Sequence, residues 1–167
     1  MSEYYNDVFV ELHTLQETLW PEVTIIFRAQ QTAKIPWQDL IERAEQSVAG
    51  GWAPPYVVNQ LLPVIPSPEW SGLDRNVYLM RVITYYIRKH TLSAGEIAAG
   101  TGITRLVEQK AEAYRDLLSP PATFTNFNLF ENVIIDSTEK NQANAAFLSF
   151  NAPLQAVAIM ADFYVGS

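Results

Sequence analysis

Apolar residues near the N-terminus follow the spacing of an amphipathic helix. They recur every three or four positions over about residues 4–19, at Tyr5, Val8, Leu12, Leu15 and Leu19. Trp20-Pro21 marks the end of this helix. The next run, 23–27, is short, β-branched and aromatic, which predicts a buried strand.

Prolines and glycines delimit the elements that follow. Pro36-Trp37 can start a short helix that continues to Glu45 or Val48, and Gly50-Gly51 can stop it. The prolines after Ala53 bring the chain extended into a strand that ends near Leu62. The stretch 63–72 contains three prolines and predicts a surface loop.

The strongest strand pattern of the chain covers 76–88. Val77, Leu79, Ile83, Tyr85 and Ile87 alternate with a second apolar set, which is Tyr78, Met80, Val82 and Tyr86. Because both faces are apolar, we expect this strand to be central in a sheet or to face a partner subunit on one side.

A further helix and two strands are predicted in the C-terminal half. Ser93 and Glu96 have the spacing of a capping box, and a helical rhythm then runs from Ile103 to Leu118. Beyond it, 126–136 and 154–165 alternate as strands on either side of the polar linker 137–144. The pattern predicts a single α+β domain over 1–167, with a mainly antiparallel sheet flanked by an N-terminal helix and a long helix near residues 103–118.

Composition excludes several classes of protein. The hydrophobic content of 49% suffices for a core, and the absence of cysteine excludes disulfides and zinc thiolates. No run approaches the roughly 20 apolar residues of a membrane helix, and the acidic Met1-Ser2-Glu3 is unlike a signal peptide, so a membrane or secreted protein is disfavoured. The net charge of −7 argues against wrapping nucleic acid.

Residues that could support catalysis or bind a metal are scattered. His13 and His90 lie 77 positions apart, and the S-x-x-K string at 137–140 lacks its partner motifs. Gly100-x-Gly102 lacks the remaining residues of a phosphate loop. We therefore predict no catalytic residue, no metal and no cofactor, and a protein that is not an enzyme. An unrecognised carboxylate site remains an alternative, with candidates on or beside predicted strands at Glu131, Asp136 and Asp162.

A second alternative is a DNA-binding regulator built on a helix-turn-helix over residues 92–118. Ala98 and Gly102 have the expected separation of a first helix and its turn. However, Glu108 occupies the position where an apolar anchor is expected. Glu112 and other acidic residues of the candidate recognition helix would also repel phosphates.

The order of elements resembles that of the tail terminator and tail-completion proteins from the neck of tailed bacteriophages. The resemblance spans most of the chain and rests on Trp20-Pro21-Glu22-Val23, Pro55-Tyr56-Val57-Val58, the strand 76–82, Tyr114-Arg115-Asp116-Leu117-Leu118 and the last strand. It implies a structural virion protein, made in the host cytoplasm, that closes into a ring, commonly a hexamer. It also implies contact with the tail tube protein and the head–tail connector. If such a ring forms, the net charge of −7 per chain would give it an acidic lumen that DNA crosses without specific binding. Whether such a subunit would be a terminator or a connector-bound completion protein stays open.

An assembly interface is expected where loops or chain ends carry apolar side chains that need covering. These positions lie in a loop before the second strand, in the proline-rich excursion and in the last strand: Trp52, Pro54, Tyr56, Trp70, Phe163, Tyr164 and Val165.

Overall fold

The structure, a computed structural model, describes residues 2–23, 25–29, 55–61, 65–66, 77–118, 128–129, 134–135 and 154–166. In chain order the elements are α1 (Ser2–Leu19), β1 (Ile25–Ala29), β2 (Tyr56–Leu61), β3 (Ile65–Pro66), β4 (Val77–Lys89), α2 (Ala94–Ala99), α3 (Ile103–Leu118), β5 (Asn128–Leu129), β6 (Ile134–Ile135) and β7 (Leu154–Gly166). The predicted α+β fold is confirmed.

The described strands form one mixed, mostly antiparallel sheet. Its order is β1-β2-β4-β7-β5, with β3 paired to β4 and β6 paired to β7. The central ladder joins β4 and β7 over their whole length, from Val77 opposite Gly166 to Lys89 opposite Leu154. The strand predicted over 76–88 is therefore central, as expected.

Strands β1 and β2 are parallel, which the sequence pattern did not indicate. Ile25 lies opposite Tyr56, and Ala29 lies opposite Gln60. Parallel neighbours require a crossover connection. The helix predicted from Pro36 belongs to this connection, and it falls outside the described residues.

One sequence prediction for a loop is corrected, and the described part of a predicted strand is confirmed. The loop predicted over 63–72 contains β3, which pairs with β4. Within the strand predicted over 126–136, the described residues form β5 and β6, which both pair with β7. Leu129 lies opposite Phe163, and Ile134 lies opposite Met160.

The core lies between the sheet and the helices α1 and α3. Val8 and Leu12 of the predicted α1 stripe are fully buried, and Leu15 and Leu19 pack against the same cluster. Helix α3 contributes Val107, Ala111, Tyr114 and Leu118. The sheet contributes alternate residues: Val57, Met80, Val82, Tyr86, Val157, Ile159, Ala161 and Phe163. The opposite face of β4 is also buried, at Ile83, Tyr85 and Ile87.

A buried hydrogen-bond network crosses this core. Gln16 Nε2 donates to Asn59 Oδ1 at 2.8 Å and to Tyr114 Oη at 3.0 Å. Asn59 Nδ2 donates back to Gln16 Oε1 at 2.7 Å, and Thr84 Oγ1 donates to Asn59 Oδ1 at 2.8 Å. All four residues are at most 2% exposed. Because unpaired amides are costly in a core, this network fixes the position of α1 relative to the sheet and α3.

Candidate functional site

A cleft of about 450 Å³ opens where the end of β4 meets α2 and α3. We call it the α2 cleft. Its described lining is mostly polar and includes two carboxylates, three cations and a phenol: Glu22, Pro55, Tyr86, Arg88, Lys89, Thr91, Leu92, Ser93, Glu96 and Lys110.

Glu22 joins three elements at one side of the cleft. Its Oε1 accepts a hydrogen bond from Tyr86 Oη at 2.9 Å and another from Lys110 Nζ. Burial raises the pKa of the Glu22 carboxyl, but the hydrogen bonds from Lys110, from the Glu22 backbone N–H and from Tyr86 more than offset this effect, so the pKa is lowered overall. Burial, and then the bond to Glu22, raise the pKa of Tyr86. Glu22 is therefore held as an anion at neutral pH.

Trp20 fixes the segment that carries Glu22. Its ring centroid lies 5.1 Å from those of both Tyr86 and Tyr114. The indole is 1% exposed, and its Nε1 has no hydrogen-bond acceptor among the described residues. Aromatic packing therefore holds this side chain in place.

Arg88 ties α2 to the end of β4. Its Nη1 donates to Glu96 Oε2 at 2.8 Å, and its Nη2 donates to Glu96 Oε1 and to the Thr91 carbonyl, each at 3.0 Å. The hydrogen bonds from Arg88, followed by one from the backbone N–H of Ser93, lower the pKa of Glu96 to about 2. Bidentate pairing fixes orientation as well as distance, so α2 has a defined place on the sheet.

Both ends of α2 are capped. The predicted capping box is confirmed: the Ser93 side chain accepts from Glu96 N, and Glu96 Oε1 accepts from Ser93 N at 2.9 Å. At the other end, Gly100 adopts the left-handed conformation with φ 74°, and its N–H bonds to the Ile97 carbonyl. These bonds satisfy backbone groups that a short helix would otherwise leave to water.

Helix α2 is fixed in place but adds nothing to the core. None of its residues is buried, and Ile97 is 63% exposed. Local sequence could have indicated this, because Ala94–Ala99 has no apolar stripe. The anchor formed by Arg88 and Glu96 could not be read from the sequence, since it depends on how the chain turns after β4.

The outward face of α3 carries paired charges. Arg105 Nη1 lies 2.7 Å from Glu112 Oε1 and 3.8 Å from Glu108 Oε2. The buried anchor in this part of the helix is Val107, while Glu108 is only partly buried. The helix–glycine turn–helix arrangement is thus present locally, but α3 packs its apolar face on the sheet.

The other chemical candidates that the structure describes, His13, His90 and Asp162, are not among the residues that line the cleft. His13 Nε2 lies 3.0 Å from Glu17 Oε1, and His90 Nδ1 lies 3.0 Å from Gln155 Oε1. Asp162 accepts two hydrogen bonds from Arg81, at 2.7 and 2.9 Å. Glu131 and Asp136 lie outside the described residues. Within the described ranges, no group of three or more His, Asp or Glu residues is placed to hold a metal ion.

The predicted interface residues have mixed outcomes. Trp52, Pro54 and Trp70 lie outside the described residues. Tyr56 is 1% exposed and Phe163 is 0% exposed, so the expectation that these side chains offer surface to a partner is wrong. Their strands have neighbours on both sides, β1 and β4 for β2, and β4 and β5 for β7, which places them inside the sheet. Tyr164 and Val165 lie in β7, opposite Leu79 and Tyr78.

No protein-family model matches the chain, and no curated protein sequence matches it. None of the helices that the structure describes is long and apolar enough to span a membrane.

Proposed function

We propose that this protein is a structural subunit of a phage neck, which closes into a ring that caps the tail tube and joins it to the head connector. The resemblance in element order supports this proposal, and the mainly antiparallel sheet flanked by helices agrees with the fold that it implies. The observation that carries the proposal is helix α2, which is held rigidly on the surface and exposes Ile97.

An isolated helix of six residues is unstable in water, and most helices in proteins are stabilised by an apolar face that packs on a core. Helix α2 has no such face within the chain. Its two caps and the bidentate contact between Arg88 and Glu96 hold it in one orientation instead. A fixed helix that leaves a large apolar side chain in water is suited to contact a neighbouring subunit.

Charge agrees with the proposed role of the ring. With a formal charge of −7 per chain, a closed ring is strongly acidic, and it would let DNA pass through its lumen without specific binding. Binding to the tail tube protein and to the connector would then depend on complementary shape and on apolar contacts. No cofactor is required for this function.

The test compares assembly with folding. Light scattering and negative-stain images of the purified protein, alone and with tail tubes, should reveal a closed ring of about six subunits. Ile97→Asp should weaken assembly while leaving thermal stability within about 0.5 kcal/mol, because the side chain is exposed. Leu117→Asp, on the outward side of α3 and 38% exposed, is the matched control. A protein that stays monomeric at high concentration, with and without tubes, contradicts the proposal.

The helix-turn-helix alternative is favoured by one observation, the glycine turn with left-handed Gly100 between α2 and α3. The charges on α3 argue against this alternative. Arg105 forms ion pairs with Glu112 and Glu108, so it offers little positive charge to a DNA phosphate. The alternative predicts duplex DNA binding that weakens steeply with salt. An electrophoretic shift assay without binding at low salt would eliminate this alternative.

A further inference from the structure

A second cavity, separate from the α2 cleft, lies between α1 and the strands β1 and β2. We call it the α1–β1 groove. It measures about 380 Å³, and it shares none of its described lining residues with the α2 cleft. Its volume falls in the range of about 300–1,000 Å³ that is typical of small-molecule sites.

Apolar side chains from α1 and β1 line the groove: Phe9, Val10 and Ile26. Phe9 is buried, Ile26 packs against the core, and Val10 is 61% exposed. An apolar ligand that covered Val10 would remove this surface from water, which is favourable in proportion to the area buried.

The basic side chains that line the groove already have partners. The guanidinium carbon of Arg28 lies 4.2 Å from the centroid of the Phe9 ring, and Arg28 has an interaction beyond this contact. His13 Nε2 lies 3.0 Å from Glu17 Oε1. A charged ligand would lose its hydration without gaining an unengaged counter-charge from these two side chains, so the groove favours a neutral ligand.

Asn59 gives the groove a buried hydrogen-bond donor. It is 2% exposed and yet lines the cavity. Its amide pairs reciprocally with that of Gln16, since Nδ2 donates to Gln16 Oε1 at 2.7 Å and Oδ1 accepts from Gln16 Nε2 at 2.8 Å. Its Oδ1 also accepts from Thr84 Oγ1.

One hydrogen of this amide is left over. An amide nitrogen carries two hydrogens, and the reciprocal pair with Gln16 uses one of them. The other points away from Gln16, and it has no acceptor in the part of the chain that the structure describes. A buried N–H without an acceptor is unfavourable, so an oxygen atom placed beside it by a ligand would be stabilised.

We propose that the α1–β1 groove binds a neutral small molecule with an apolar body and one carbonyl oxygen. The carbonyl accepts the second N–H of Asn59, and the body lies over Phe9, Val10 and Ile26. Apolar walls with a single well-placed donor are typical of sites that fix the orientation of a small ligand. This binding is independent of the proposed role in a phage neck.

Acetophenone is the probe, because it joins a phenyl ring to one carbonyl. In an NMR titration of the full chain, it should cause saturable shifts at the backbone amides of Phe9, Val10 and Ile26. One of the two side-chain Hδ2 resonances of Asn59 should move downfield as the carbonyl accepts its hydrogen. This resonance reports the contact without a substitution at Asn59, which would disturb the buried pair with Gln16.

Two further compounds separate the contacts of the ring from that of the carbonyl. Ethylbenzene has nearly the same shape as acetophenone but lacks the oxygen. It should shift the same backbone amides and leave both Hδ2 resonances of Asn59 without the downfield movement. Acetone keeps the carbonyl without the ring, and it should bind at least about tenfold more weakly than acetophenone, because it covers less of the apolar wall.

A pair of variants at exposed positions tests the location. Val10→Asp should weaken acetophenone binding at least about fivefold, because it replaces apolar wall by a hydrated carboxylate, and the exposed position keeps the fold intact. Ile97→Asp is the matched control, since Ile97 is 63% exposed and is not among the residues that line the groove. It should bind acetophenone as the unaltered protein does.

Four results would overturn the proposal. They are an absence of saturable shifts with acetophenone, shifts confined to residues outside the groove, undiminished binding by Val10→Asp, and an Asn59 Hδ2 response that is the same with ethylbenzene as with acetophenone.

Discussion

Replacement of Gln16 by leucine should destabilise the protein far more than its position on a surface helix suggests. The substitution removes the only acceptor that Asn59 Nδ2 has in the described residues, which costs about 1–3 kcal/mol when the donor stays buried. The hydrogen bond to Tyr114 Oη is lost as well and contributes about 1 kcal/mol. Leucine fills a similar volume, so no large cavity adds to the cost. We expect a total of about 2–4 kcal/mol.

The size of the coupling tests whether the buried amides act as a pair. Asn59→Leu alone should cost a similar amount, because Gln16 and Thr84 each lose their hydrogen bond to the buried amide. The double variant should be less destabilised than the sum of the two single variants, by about 1–2 kcal/mol, since both halves of the amide pair are then apolar.

Urea denaturation followed by circular dichroism and tryptophan fluorescence measures these free energies. The exposed Gln109→Leu on α3 is the matched control and should change stability by less than about 0.5 kcal/mol. Strict additivity of Gln16→Leu and Asn59→Leu, or a loss at Gln16 no larger than at Gln109, would refute the reasoning.

Three further predictions concern α2, Glu22 and Tyr114. Gly100→Ala should destabilise the protein by about 1 kcal/mol, because alanine disfavours the left-handed φ of 74° although there is space for its Cβ. Gly95→Ala inside α2 should instead stabilise the protein by about 0.5–1 kcal/mol. Thermal unfolding of both variants measures the difference. Because the pKa of Glu22 is lowered in the folded protein, its contribution to the free energy of unfolding is present above the ordinary pKa of 4.5 and is lost as pH falls. The free energy of unfolding should therefore fall less steeply with decreasing pH in Glu22→Gln than in the unaltered protein. Equal slopes in the two proteins would contradict this. Burial raises the pKa of Tyr114 from 10.0 to about 12, so its contribution to the free energy of unfolding is complete below pH 10 and is lost as pH rises to about 12. Tyr114→Phe should therefore lose less stability than the unaltered protein over that interval. In the folded variant, the phenolate absorbance should show one fewer tyrosine that titrates at high pH.

Local patterns were sufficient for the main elements and for the caps of α2. The stripe that includes Val8 and Leu12 indicated α1, the two-sided run 76–88 indicated a central strand, and Ser93 with Glu96 indicated where α2 begins. Each of these signals acts within a few residues, because side-chain periodicity and capping depend on neighbours in the chain.

Contacts between distant residues were decided only by the tertiary structure. Tyr56 and Phe163 are aromatic residues of the kind that often lie in interfaces, but strand pairing places both inside the sheet, where they are buried. Gln16 meets Asn59 only because α1 docks over β2, and the parallel pairing of β1 with β2 arises from a crossover that no local pattern specifies. Burial and hydrogen bonding of this kind depend on register and docking, which follow from the packing of the whole chain. The sequence by itself therefore determined most of the segments that form helices and strands, and the tertiary structure decided which of their side chains are buried in the core and which stay exposed.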